Sequence, residues 1–182
     1  MKTGMKNYPE CELAGLSIQE KFIKIFSKQK GVKYIRKAES SEDKRQHIDE
    51  LFSIKNKEYW FEVKSSKKFK RKNANSVYDS ILLELHGVIM PQNLGWIYGS
   101  IASAIAFEQE NNQFILFYRK QLINFIKNKT GITGPFDPII KNTKKWSENN
   151  TSYYQVYHRG SVDSWIWCPL DDLKANCKFK II

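Results

Sequence analysis

Residues 47–66, HIDELFSIKNKEYWFEVKSS, alternate apolar and polar side chains on either side of a short polar break, the pattern of a β-hairpin with one buried face. Within that pattern stand Asp49, Glu62 and Lys64, in strands that otherwise suit a core. A two-residue Asn56-Lys57 turn, or a four-residue loop from Lys55 to Glu58, sets Asp49 opposite Lys64 and Leu51 opposite Glu62. Opposed residues share a sheet face, so either connection gathers Asp49, Glu62 and Lys64 on one side. An odd-length loop would part the two acids unless a bulge intervened.

Two carboxylates converging on one face suit a hard divalent cation such as Mg²⁺, which prefers oxygen ligands and keeps several waters. A neighbouring lysine can orient a metal-bound water or neutralise charge developing on a phosphate, which is phosphodiester chemistry. A cross-strand salt bridge on a solvated face is the other reading. The Glu-x-Lys triplet alone does not decide, since Glu42-Asp43-Lys44 also fits it without a flanking strand such as YWFEV.

Charge bears on the choice. The chain of 182 residues carries 30 Lys and Arg against 19 Asp and Glu, a formal +11, which implies a polyanionic partner. Nucleic acid comes first and an anionic membrane surface second. A membrane span is not expected, because the most apolar region, Ile81 to Phe107, is broken by Glu84, His86 and Pro91-Gln92-Asn93. The N-terminus shows no continuous apolar signal segment. Cys11, Cys168 and Cys177 are odd in number and widely spaced, which argues against a disulfide framework or zinc site and for a reducing cytoplasm.

Elsewhere the chain alternates helix and strand, as one α/β domain. LSIQEKFIKIFSKQ places Ile18, Phe22, Ile25 and Phe26 on one helical stripe that Gly31 ends. VKYIRKA is an expected strand and ESSEDKRQ a polar connection. SILLEL, SAIAFE and QFILFYR follow as strands, KQLINFIKN as a helix, and SYYQVYH with DSWIWCPL as a last strand pair. Residues 129–150 read as the longest irregular segment.

The order of parts, an acid-bearing helix, a strand, HID, then FEVKSS, resembles the PD-(D/E)XK nuclease superfamily. ILLEL…GWIYGSIASAIAFE…FILFYRKQL is similar to the second half of its small phage-type members. The resemblance covers roughly residues 15–127, the expected core, with a C-terminal strand pair and extension over 128–182. It implies a central mixed β-sheet flanked by helices, a restriction-endonuclease-like core. It also implies a metal-dependent nuclease acting on nucleic acid, DNA being the expected target, with Mg²⁺ as cofactor and Mn²⁺ able to substitute. Carried over by position, Asp49 and Glu62 are the metal ligands, Lys64 the catalytic lysine and Glu20 the helical glutamate that completes the site. The residue before Asp49 is Ile48 where the superfamily often has proline. On a helical wheel Glu20 lies opposite the Ile18/Phe22/Ile25/Phe26 stripe, so a solvated surface acid is its other reading.

The run KSSKKFKRK follows Lys64 directly. Lys67, Lys68, Lys70, Arg71 and Lys72 are expected to contact phosphates, although most charge runs are simply soluble loops. His47 is a structural histidine or a metal neighbour, and Trp96 and Tyr98 pack in the core or stack on a base. A non-catalytic nucleic-acid-binding module or inhibitor keeping the same fold is the alternative function. A homodimer is left open.

Overall fold

The computed structural model describes residues 8–65, 78–86, 94–134, 145–148, 151–157 and 164–182. Along them run α1 (Tyr8–Phe26), β1 (Val32–Lys37), α2 (Ser40–Gln46), β2 (Glu50–Ile54), β3 (Lys57–Lys64), β4 (Ser80–His86), α3 (Trp96–Gly99) and β5 (Ala104–Glu108). Then come β6 (Phe114–Tyr118), α4 (Arg119–Thr130), β7 (Lys145–Glu148), β8 (Thr151–Tyr157), β9 (Ser164–Pro169), α5 (Leu170–Asn176) and β10 (Phe179–Ile181).

The fold is α/β with a mixed sheet of six strands, in the order β1-β2-β3-β5-β6-β10. Only β3 and β5 run parallel; the other neighbours are antiparallel. Hairpins can join antiparallel neighbours, whereas a parallel pair needs a crossover, and here β4 and α3 supply it. The near-continuous apolar runs AIAFE and FILFY are explained by burial on both sides, since four of five residues in each strand are buried.

One face is covered by α1, whose stripe sets Phe22 and Phe26 among Phe52, Phe61 and Phe114, with ring centroids 4.9 to 5.7 Å apart. The helix stops at Phe26, and Gly31, at φ +77°, turns the chain back into β1. The other face packs against a second, four-stranded antiparallel sheet in the order β4-β9-β8-β7. Leu83, Ile166, Ile105 and Phe117 from the two sheets meet in one core, together with Leu122 of α4 and Leu173 of α5.

Several elements differ from expectation. The C-terminal strand pair is no appendage, because β9 pairs with β4 from the middle of the chain. Residues 145–148, within the segment expected to be irregular, form β7. The polar stretch after β1 is helical: Glu39 and Glu42 close a capping box at the start of α2, which buries no residue.

Candidate active site

The hairpin of β2 and β3 turns at Lys55 and Asn56, one residue before the expected pair. Both have left-handed backbones, at φ 51° and 65°, as a two-residue turn matching the strand twist requires. Ile54 therefore faces Lys57 and Glu50 faces Phe61. The register ends at that pair, with Asp49 just beyond the strand. The register differs from the expected one by two residues; Glu62 and Lys64, two apart on β3, share one side, and the charges of both act on Asp49.

The ladder gives way at Asp49. Its N–H donates to the Phe61 carbonyl at 2.9 Å and its carbonyl accepts from Ala38 N–H at 2.7 Å. The carboxylate takes over from the backbone: Oδ2 accepts the Val63 N–H at 2.6 Å, and Oδ1 accepts Gln19 Nε2 of α1 at 2.5 Å. Asp49 is thus held rigidly and is only 5% exposed. Burial, then the charge of Glu62, push its pKa up to about 7 against the pull of Lys64 and the Val63 N–H.

Glu62 is 2% exposed on a central strand, and burial raises its carboxyl above the ordinary range despite an ion pair to Lys64 Nζ. Its Oε2 is buried without a hydrogen-bond partner. For Lys64 burial opposes the charge, but Glu62 and Asp49 outweigh it and hold the ammonium protonated well above its usual range. Nζ lies 5.3 Å from the Trp96 ring centroid, a cation–π contact. Trp96 is seated there because Gly95 lets α3 approach β4: a Cβ at Gly95 would lie 2.5 Å from the Glu84 carbonyl oxygen. Glu84 in turn raises the pKa of both Glu62 and Lys64 through its charge.

Glu20, expected to complete the site, is exposed, and it is the adjacent Gln19 that reaches Asp49. One residue turns a helix by about a quarter of a revolution, which separates the two. Gln19 Oε1 is buried and has no hydrogen-bond partner. His47, with a left-handed backbone at the end of α2, gives its carbonyl to Ser100 Oγ at 2.6 Å. Burial and then the charge of Lys64 keep its imidazole pKa below the usual value.

A further acid escaped the sequence reading. Glu50, fully buried beside Asp49, alternates onto the α1 face and accepts the Tyr34 hydroxyl at 3.0 Å, while its Oε1 has no partner. Burial pushes it up to about 7. The only signal was its position in DEL, on the same face as Phe52. Lys67, Lys68, Lys70, Arg71 and Lys72 lie outside the described residues, as does His158.

Among the described residues no group of three or more His, Cys, Asp or Glu side chains is placed to hold a metal ion. The site offers two carboxylates and an amide oxygen, all hard donors, with Glu62 Oε2 and Gln19 Oε1 unpartnered. One or two carboxylates, with water and substrate phosphate, are a usual protein contribution to Mg²⁺, so these residues fit such an ion. No helix among the described residues is long and apolar enough to cross a membrane. No family model, curated protein or solved structure matches the chain.

Proposed function

We propose that the chain is a metal-dependent nuclease that hydrolyses phosphodiester bonds, with DNA as its substrate, on a restriction-endonuclease-like core of the PD-(D/E)XK type. The observation that carries the reading is the pairing of two buried carboxylates, Asp49 and Glu62, with an orphaned Glu62 oxygen. Burying such groups without full hydrogen bonding costs free energy that packing alone would not select for, but a site would.

Asp49 and Glu62 would hold Mg²⁺ or Mn²⁺. When bound, the ion supplies positive charge for a phosphate oxygen and makes a coordinated water more acidic. Gln19 and the Val63 N–H fix the Asp49 carboxylate in place, so little reorganisation is needed at the moment of reaction. Lys64, kept charged by its acidic neighbours, acts as a donor: it orients the attacking water or offsets charge on the scissile phosphate. Trp96 covers the ammonium on one side and limits where it can point.

The direct ion pair between Lys64 and Glu62 also favours a second reading, a non-catalytic nucleic-acid-binding module in which the pair is structural. Cleavage assays with Mg²⁺, Mn²⁺ or EDTA on single-stranded, duplex and branched DNA and on RNA separate the two. The nuclease reading expects divalent-dependent cutting that Glu62→Ala abolishes. No cleavage under any condition, or a Glu62→Ala variant cutting at the wild-type rate, would sink it.

A further inference from the structure

The second sheet has two unlike faces. Ile81, Leu83 and Leu85 of β4 and Ile166 and Cys168 of β9 are buried in the shared core. The alternate residues, Leu82 and Glu84 of β4 with Trp165 and Trp167 of β9, are only half-buried. Register arranges them in rows: Leu82 opposite Trp167 and Glu84 opposite Trp165. The rows continue across the sheet, as β8 brings Tyr154 level with Trp167 and Val156 level with Trp165, and β7 brings Lys145 level with Tyr154. Two tryptophans on the side of a sheet turned away from its core are unusual for a surface that only meets water.

This face is continuous with the candidate site. Ser80 and Leu82 line the same cleft as Lys64, Ser65 and Trp96. A molecule lying across Trp165 and Trp167 therefore leads towards Lys64.

We propose that the Leu82–Trp165–Trp167 face is a stacking platform for the bases of single-stranded nucleic acid, directing the strand into the cleft beside Lys64. Four-stranded antiparallel sheets with one packed face and aromatics on the other are a recurring surface on which unpaired bases stack. The rings of Trp165 and Trp167 stand two residues apart on one strand, about 6.8 Å along it, so each can take a separate base. The formal charge of +11 favours a polyanion over an apolar protein segment as the occupant. A duplex, its bases already stacked on one another, has no π-face to offer. The inference rests on the nuclease reading for the fate of the strand, making single strands or frayed ends the substrate, but not for its binding.

The test is fluorescence anisotropy of a labelled oligothymidylate and of a duplex of equal length, in EDTA so that no cleavage occurs. Wild-type protein should bind the single strand more tightly than the duplex. Trp167→Ala should weaken single-strand binding about tenfold, as expected for loss of one stacked base. Trp167→Phe, which keeps a ring, should stay close to wild type, and Tyr118→Ala, an exposed aromatic of β6, should change nothing. If Trp167→Ala fails to fold, Trp167→Leu preserves apolar bulk without the ring and should show the same loss. Folded Trp165 and Trp167 variants that bind oligothymidylate as wild type does would overturn the platform, as would a preference for duplex. Tryptophan-dependent binding without cleavage under any metal would leave the platform standing and remove the nuclease reading instead.

Discussion

Asp49→Asn tests most directly whether the buried carboxylate is kept for chemistry or for stability. In the folded chain its pKa stands at about 7 against an ordinary 3.8. The unfolded chain thus releases this proton near pH 4, while the folded chain keeps it until about pH 7, so stability falls as pH rises across that window. A shift of roughly three units at 1.36 kcal/mol each sets the cost above pH 7 at about 4 kcal/mol. Asparagine carries no charge and removes that cost. It also keeps both hydrogen bonds if the Gln19 amide turns over: Asn Oδ1 accepts from Val63 N–H, and its amide donates to Gln19 Oε1, now unpartnered. Even if only half the gain is realised, about 2 kcal/mol raises the melting temperature by roughly 4–8 °C in a chain of this size. Thermal melts in EDTA from pH 5 to 8 should show the variant above wild type at pH 8, with the gap closing towards pH 5, and cleavage should be lost. A variant less stable than wild type at pH 8, by a margin that ignores pH, would show Asp49 to be an ordinary structural acid.

Calcium, a hard cation able to bind without supporting cleavage, should stabilise wild type by about 2.7 kcal/mol at a hundredfold excess over Kd. The shift should be larger at pH 8 than at pH 6, because both acids must lose protons to bind, and absent in Glu62→Ala; a shift that persists there places the ion elsewhere. Gly95→Ala should cost about 1–3 kcal/mol in urea unfolding, since its methyl meets the β4 backbone, and should lower activity by moving Trp96 off Lys64. An unchanged midpoint would mean that α3 is not seated by that close approach. Neutralising Lys67, Lys68, Lys70, Arg71 and Lys72 together should flatten the dependence of log K on log salt by about 0.9 for each lost phosphate contact on duplex DNA.

What the sequence disclosed, and what it hid, follows from which physical signals are local. That Glu62 and Lys64 share a side was legible because they stand two apart on one strand, whatever the register. The register itself was not, because Asn-Lys and Lys-Asn are equally polar and only the backbone decides which pair turns. Asn56 tolerates the left-handed conformation well, while Lys55 adopts it at some strain, which no composition rule would choose. Helix α2 was hidden by having no apolar stripe to show. Gln19 was overlooked beside Glu20 because a charge draws attention that an amide does not, yet its side of α1 is the one that meets β2 and β3. Sheet partnership across the chain, β4 with β9 above all, leaves no mark in either strand alone.

Along the described strands the chain passes between the two sheets four times, after β3, β4, β6 and β9. No single cut can therefore release one sheet as an intact piece. Folding should accordingly be all-or-none, with a single melting transition, and its non-local pairings should make it slow. Fragments carrying the HID and FEVK strands alone should be inert. Limited proteolysis should leave either whole protein or small peptides, with no long-lived half.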